Sequence, residues 1–234
     1  MADNIFVAIQ GTYNSLGIAI FNGGTCIADT STLDQRASSH LIPHLETFLA
    51  SYSLTLRDLL FIAVDQGPGA FTSLRVTIAT VNGIAFGMRK SLVGVDSLDA
   101  LAWQAQGGDS PQPGRQRMLV MLNAYGNDVY YRYTHDDVVS RGCKPVEQLL
   151  TDIASHPSKI SLALAGNGVP MHLSAIAHAF DGRQPYYTLP DQLPTAVSIG
   201  ACAWQAWSEG LRGHDKLVPL YMKSQEFAVR APKK

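Results

Sequence analysis

Two stretches of this 234-residue chain combine residue types and spacing that could do chemistry. His40 and His44 lie one helical repeat apart, so on a helix both imidazoles share a face, and two neutral nitrogens begin a transition-metal site. Neither a carboxylate nor a third imidazole is placed to complete it, because Glu46 points elsewhere on the same helix. The pair therefore reads as solvated or facing an interface. The second stretch is Gly67-Pro68-Gly69-Ala70-Phe71-Thr72, between a strand and a helix. Free backbone N–H groups and the helix dipole can hold an anion at such a turn, which makes Gly67, Gly69, Phe71 and Thr72 candidates for a phosphate site. The lysine of a Walker loop is missing, so a purely structural turn is the competing reading. Asp96, Asp99 and the scattered serines lack the context of a nucleophile elbow.

Composition narrows the function classes. Lys and Arg number 18 against 19 Asp and Glu, a formal charge of −1, so no net field draws a polyanion and strong direct binding of nucleic acid is disfavoured. The chain is 46% hydrophobic but only 16% charged, against about 25% charged in an average soluble domain. Such a surface calls for a partner. Cys26, Cys143 and Cys202 are odd in number and far apart, which fits neither a disulfide framework nor a zinc knuckle and points to a reducing compartment. The N-terminus lacks a basic leader region, and the longest apolar run, Leu59 to Val64, falls far short of the roughly 20 residues that span a bilayer. A soluble, cytoplasmic protein without a membrane partner is expected.

The elements that would position these residues follow from periodicity. Ile5 to Ile9, Leu16 to Phe21 and Thr25 to Thr32, with Asn22-Gly23-Gly24 between the last two, predict a three-strand meander. A first helix starts from Ser38 or Ser39 and carries Leu41, Ile42, Leu45, Phe48, Leu49 and Tyr52, with Pro43 tolerated in its first turn. Leu59 to Asp65 predicts a buried strand. Phe71 to Met88 predicts a second helix through Leu74, Ile78, Val81, Ala85 and Met88. Ser91 to Val95 is a short strand, followed by a helix capped by Asp96 or Ser97 and ending at Gly107. Alternating strands and helices define an α/β layer fold.

Gly107 to Gly114 is a linker by composition and sets the lobe boundary. Residues 1–106 form an N-terminal lobe, completed by a C-terminal helix and tail over about 195–234, and residues 107–194 a smaller C-terminal lobe. The second lobe opens on another hairpin, Met118 to Leu122 and Val129 to Tyr133, a weak echo of the first. A strand over Ile160 to Ala165, a helix from Val169 or Pro170 to Phe180 and a last helix over Thr195 to Glu209 follow. Leu217 to Met222 predicts a short edge segment, since Pro219 keeps it from a central position. Trp103, Trp204 and Trp207 read as core or lobe-interface anchors, and Arg230, Lys233 and Lys234 as a solvated end.

The second helix has another face. Val76, Thr80, Gly83, Ile84 and Gly87 run along it, and Gly83-x-x-x-Gly87 makes a smooth groove into which a neighbouring helix could pack closely. Burial of both faces within the fold is the alternative.

The string Asp65-Gln-Gly-Pro-Gly-Ala-Phe-Thr-Ser-Leu-Arg75, with Thr80 to Gly87 and Leu92 to Leu98, resembles the TsaB (YeaZ) family of bacteria. Leu41-Ile42-Pro43, Asn123-Ala124, Asp128-Val129-Tyr130 and Pro219 to Lys223 extend the resemblance over most of the chain. It implies an α/β, two-lobed fold of the superfamily of actin, heat-shock ATPases and sugar kinases (ASKHA), each lobe a mixed sheet with flanking helices. It also implies a non-catalytic scaffold beside the paralogue TsaD, and through TsaD the ATPase TsaE, in threonylcarbamoyl modification of adenosine in tRNA. The implied partner surface comprises His40, Leu41, His44, Leu45 and Phe48 of the first helix with Val76, Thr80, Gly83 and Gly87 of the second, used for a homodimer when the chain is alone. No catalytic or metal-binding residue and no independently bound cofactor are implied, with ATP or ADP bound only in the complex.

Departures from the family pattern bear on the alternative of a stand-alone ASKHA-type ATPase or small-molecule kinase. Such enzymes place a carboxylate at the end of the first strand to organise Mg²⁺. Here Gln10 occupies that position, where the family usually has Asp, and Asn123 replaces another usual Asp. The catalytic paralogue's two metal-binding histidines correspond to Ser97 and Leu101, neither of which can supply an imidazole nitrogen.

Overall fold

The structure is a computed structural model that describes residues 4–13, 15–33, 37–108, 117–135, 138–190 and 193–223. Most of the linker and the basic end at Arg230, Lys233 and Lys234 lie outside the described residues, as do the side chains of Ser38 and Ser39.

The first sheet contains β1 (Ile5–Gln10), β2 (Ser15–Asn22), β3 (Thr25–Leu33), β4 (Phe61–Gly67) and β5 (Ser91–Asp96), in the order β3-β2-β1-β4-β5. β1 to β3 run antiparallel as a meander, while β4 and β5 add in parallel beside β1. All six residues of β1 are buried, the mark of a central strand covered on both faces. Alternate side chains serve the two layers. Val7 and Ile9 join the core under α1 (Ala37–Ser51) and α2 (Phe71–Met88), whereas Phe6 and Ala8 face α7 (Ala196–Ser208). Phe6 stacks against Phe61 at 4.3 Å and Phe21 at 5.0 Å, and Trp204 extends the pile at 6.0 Å. Gly200 lets α7 approach this closely, since a Cβ there would sit 2.1 Å from the Phe21 ring.

The second sheet is built from β6 (Arg117–Asn123), β7 (Asp128–His135), β8 (Val138–Pro145), β9 (Leu162–Ala165) and β10 (Tyr186–Thr188), in the order β10-β9-β6-β7-β8. An antiparallel meander on one side of β6 and two parallel strands on the other repeat the first sheet's topology strand for strand. The echo between the hairpins thus extends to whole lobes. One face of this sheet packs on α4 (Val146–Ala154) and α6 (Leu173–Phe180). The other takes Leu98, Leu101 and Ala102 of α3 (Ser97–Ala105) against Met118, Val120, Leu122, Ala163 and Ala165. α3 therefore lies between the sheets, although it precedes the linker in the chain.

Several expectations change. The helix expected over Val169 to Phe180 is two pieces, α5 (Gly168–Met171) and α6, separated by His172 at φ −126°. The tail from Leu217 to Met222 is not an edge strand. Its backbone bonds instead to side chains and a carbonyl of the first lobe, with Leu217 N–H donating to Asn82 Oδ1 at 2.9 Å and Leu220 N–H to the Gln66 carbonyl at 2.8 Å. Within the described residues, no helix is long and apolar enough to cross a membrane.

Candidate functional site

Two regions gather the candidate residues: the cleft between the sheets and the outer face of α1 and α2.

At the cleft, the ends of β1, β4 and β5 converge on Asp65. Thr12 Oγ1 donates to Asp65 Oδ2 at 3.0 Å, Gly67 N–H donates to Oδ1 at 3.0 Å, and the Ser97 hydroxyl donates to Oδ1 as well. Burial pushes this carboxyl above the ordinary range, while the Ser97, Gly67 and Thr12 donors pull it down. Gln10 is buried too, and its Nε2 donates to Thr12 Oγ1 at 2.9 Å and to the Thr12 carbonyl at 3.2 Å. This amide thus braces the turn that holds Asp65. Asn123 is equally occupied: its N–H donates to Asn167 Oδ1 at 3.0 Å, its Oδ1 accepts from Tyr125 N–H at 2.8 Å, and its carbonyl accepts from the Tyr13 hydroxyl at 2.9 Å. Burial raises the Tyr13 phenol, so the hydroxyl stays a donor across the lobes.

The cleft has a volume of about 740 Å³, bounded by Gln10, Tyr13, Asp29, Tyr125, Asn167 and Thr195 among others. Its described lining has one carboxylate, Asp29, and no Lys, Arg or His. Ser97 and Leu101, the positions at which the resemblance would set imidazoles, are fully buried. Among the described residues there is no group of three or more His, Cys, Asp or Glu placed to hold a metal ion, so His40 and His44 stay a pair.

The glycine turn packs inward. Gly67 is at φ +94°, and a Cβ there would lie 2.6 Å from Leu74 Cδ2; at Gly69 it would lie 3.0 Å from Thr12 Cγ2. With its Gly67 N–H already donated to Asp65, the turn serves the Asp65 network. Phe71 and Thr72 are exposed but do not line the cleft, and the Phe71 ring carries the Arg75 guanidinium 3.6 Å from its centroid.

On the outer face, α1 and α2 lie side by side against the first sheet. Leu41 and Leu45 are a correction: they are 0% and 1% exposed, because with Leu49 they form the stripe that α1 turns into the core, and they cannot offer side chains to a partner. His40 is exposed. His44 and Phe48 are half-buried, their rings 6.4 Å apart, and His44 Nε2 is enclosed without a hydrogen-bond partner among the described residues. On α2, Leu74, Thr77, Ile78, Val81 and Ala85 face the core, and Val76 and Thr80 are half-buried. Gly83 and Gly87 are open, with nothing within 4 Å of a Cβ at either position. Of the second face of this helix, Ile84 packs against the core, whereas Gly83 and Gly87 stay open among the described residues.

Phe86, which sequence reasoning passed over, is 87% exposed on this face, and Ile42 on α1 is 47% exposed. A helical wheel carries the signal for Phe86, since it lies about 60° from Gly83 and far from the core stripe.

A third cluster ties α3 to the second sheet. Asp99 pairs with Arg132 at 2.8 Å and with Arg141 at 3.0 Å, and Arg141 also reaches Asp96 at 2.9 Å. Burial and the nearby Asp99 charge push the Asp96 carboxyl up to about 6, against the opposing pull of Leu98 N–H and Arg141.

Comparison with known proteins agrees with this architecture. A family model described as TsaD, tRNA N6-adenosine threonylcarbamoyltransferase, matches residues 32–190. The tRNA threonylcarbamoyladenosine biosynthesis protein TsaB of Escherichia coli (strain K12) is 26% identical over 233 residues, covering 97% of this chain and 98% of that protein. TsaB of Bacillus subtilis (strain 168) is 23% identical over 215 residues, covering 81% and 94%. Among solved structures, YeaZ from Pseudomonas aeruginosa superposes with a TM-score of 0.73 at 21% identity, covering 93% of this chain and all of that one. The polyphosphate/ATP-glucomannokinase of Arthrobacter sp. strain KM superposes with a TM-score of 0.53 at 8% identity, covering 87% and 99%.

Two mixed sheets of repeated topology with flanking helices give this chain a two-lobed fold of the ASKHA-like class. Within that class, the chain belongs to the TsaB (YeaZ) family.

Proposed function

We propose that this chain is a non-catalytic scaffold of tRNA threonylcarbamoyladenosine biosynthesis that binds and stabilises a TsaD homologue through α1 and α2. The observation that carries this reading is Phe86, an aromatic ring 87% exposed beside the open glycines Gly83 and Gly87. A large apolar side chain next to a smooth helical surface is poorly suited to water and well suited to a helix crossing at about 8–10 Å. The same two helices carry the exposed His40 and Ile42 on α1 and the half-buried Val76 and Thr80 on α2.

Absence of catalysis by the chain alone is supported by its cleft. Gln10 supplies no charge to organise Mg²⁺ and its Nε2 donates to Thr12, while Asn123 is committed to a turn. The described lining holds no cation to meet phosphates. A nucleotide, ATP or ADP, would then bind only in the complex, a TsaE homologue would join through TsaD, and the chain alone would pair with itself through the same face.

Co-expression with the TsaD homologue, followed by purification and mass determination, tests the reading. A stable complex in which threonylcarbamoyl transfer requires both chains is the expected result. Two separate monomers, or ATP turnover by the isolated chain near ordinary enzyme values of roughly 1 s⁻¹, would overturn it.

A further inference from the structure

We propose that residues 217–223 form a strap that couples α2 to the β6–β7 hairpin across the lobe boundary, so that docking on α2 is felt at the interlobe cleft. The response to docking rests on the reading above, whereas the mechanical coupling can be measured on the chain alone.

The strap begins in the core, where Leu217 is 5% exposed among the residues beneath α1 and α2. Asn82 of α2 then grips it as a neighbouring strand would: its Oδ1 accepts from Leu217 N–H and its Nδ2 donates to the Leu217 carbonyl, both at 2.9 Å. With both ends of one rigid amide engaged on one residue, rotation of α2 must carry residue 217 with it or break two bonds. At the end of β4, Gln66 repeats the grip, with Nε2 donating to the Val218 carbonyl at 2.7 Å and its own carbonyl accepting from Leu220 N–H at 2.8 Å. Arg75, two turns before Asn82 on α2, donates through Nε to the Tyr221 hydroxyl at 2.7 Å.

The far end belongs to the other lobe. Met222 packs against the cluster between the sheets, and Lys223 Nζ lies 2.7 Å from Asp128 Oδ2 while donating to the carbonyls of Ala124 at 3.2 Å and Tyr125 at 3.4 Å. Those residues make the β6–β7 turn, and Tyr125 borders the cleft. Val218 and Tyr221 are 63% and 51% exposed, so between its ends the strap is held mainly by directed hydrogen bonds. Such a connection passes displacement along the chain. Burial alone would hold a surface cover in place without linking the two helix contacts to the turn.

Hydrogen exchange on the full chain tests this, comparing the parent with Asn82→Ala and Lys223→Ala, with peptides of β3 as the internal reference and a melting curve for each variant. The reporting amides are in the turn, where Ala124 N–H donates to the Asp128 carbonyl and Tyr125 N–H to Asn123 Oδ1. The Asn82 side chain bonds to Leu217 and not to the turn itself among the described residues, yet Asn82→Ala should speed exchange over 124–128 about fivefold or more, as loss of one or two hydrogen bonds of local stability would. Parental exchange there, with residues 217–220 freed, overturns the coupling. Should Asn82→Ala fail to fold, Asn82→Asp keeps an acceptor for Leu217 N–H but replaces the donor by a carboxylate oxygen that repels the Leu217 carbonyl, and it is judged by the same readout.

Excess TsaD homologue then tests the response to docking. Protection of α2 should be accompanied by slower exchange over 124–128 in the parent, and Lys223→Ala should keep the first while losing the second. Protected α2 with an unchanged turn in the parent overturns the transmitted response. If α2 itself gains no protection, the docking reading falls, while the comparison of variants without partner still decides whether the strap couples the lobes.

Discussion

Thr12 and Asp65 meet by a 3.0 Å hydrogen bond between side chains 53 residues apart, joining the turn after β1 to the end of β4. With Ser97 and Gly67 donating to the same carboxylate, Asp65 acts as the acceptor that gathers three chain segments at the head of the cleft.

Asp65→Ala should therefore destabilise the fold by about 2–4 kcal/mol, because it leaves two hydroxyls and an amide without their acceptor in a buried place. Thr12→Val removes one donor and one of the two acceptors for Gln10, and should cost less, about 1–2 kcal/mol. Urea unfolding of both variants checks the order. Equal losses would mean that the carboxylate does not organise the cluster.

The Asp96 carboxyl gives a pH dependence whose sign can be worked out. Its folded value, about 6, lies above the ordinary 3.8, so its contribution favours the folded state fully below about 3.8 and is lost as pH rises through about 6. Asp96→Asn keeps an oxygen to accept from Leu98 N–H but removes the charge. The variant should gain about 1 kcal/mol on the parent at pH 8, after allowance for the lost Arg141 pair, and the difference should shrink as pH falls through about 6 toward about 3.8. Urea midpoints between pH 4 and 8 measure it; parallel curves would refute the assignment.

Much of this architecture is legible in the chain because its central elements are either apolar throughout or strongly periodic. Ile5 to Ile9 can only be a covered strand, and Leu74, Ile78, Val81 and Ala85 mark the buried side of α2. What escaped depends on partners distant in sequence. β8, with its exposed Val138 and Val139 and its Arg141 and Lys144, has no apolar alternation to betray an edge strand, and its pairing with β7 supplies the reason it is one. The tail's course is set by Asn82, 135 residues away, so Pro219 and a few apolar residues could suggest only an edge segment. Gln10 and Asn123 were recognisable as missing acids, but their bracing of turns follows from side-chain direction. On α1, the apolar list did not separate Leu41 and Leu45, spaced with Leu49 on the core stripe, from Ile42 on the outer side.

Restoring the acid at Gln10 should not restore a cation site cheaply. The side chain is 1% exposed and donates to Thr12, which in turn donates to Asp65. Gln10→Asp removes that donor and brings a second carboxylate toward the first in a buried setting, so it should lower stability by about 2–3 kcal/mol at pH 7 and less in acid, where one carboxyl can be protonated. Chemical denaturation at pH 5 and pH 7 tells the outcomes apart. No loss of stability, or Mg²⁺-dependent ATP turnover in the variant, would contradict this account of the cleft.

On the proposed partner face, residues that hold the fold are distinct from residues left exposed. Leu41→Ala and Leu45→Ala should each cost about 2–5 kcal/mol, as core truncations do, without a specific loss of affinity for the TsaD homologue when the variants are folded. Gly83→Arg, Thr80→Arg and Phe86→Asp should leave melting within a few degrees of the parent. Each should nonetheless abolish both self-association and complex formation, since a bulky charge in a close helix crossing meets a clash and the cost of desolvation. Arg132→Glu, attractive as a control because it lies off this face, is unsuitable: it would set a carboxylate against Asp99, the present partner of Arg132. Val138→Glu, on the exposed end of β8, takes its place. Ultracentrifugation over micromolar concentrations and co-purification read the result. If Phe86→Asp and Gly83→Arg assemble as the parent does, or Val138→Glu is the variant that fails, the docking face is not on α1 and α2.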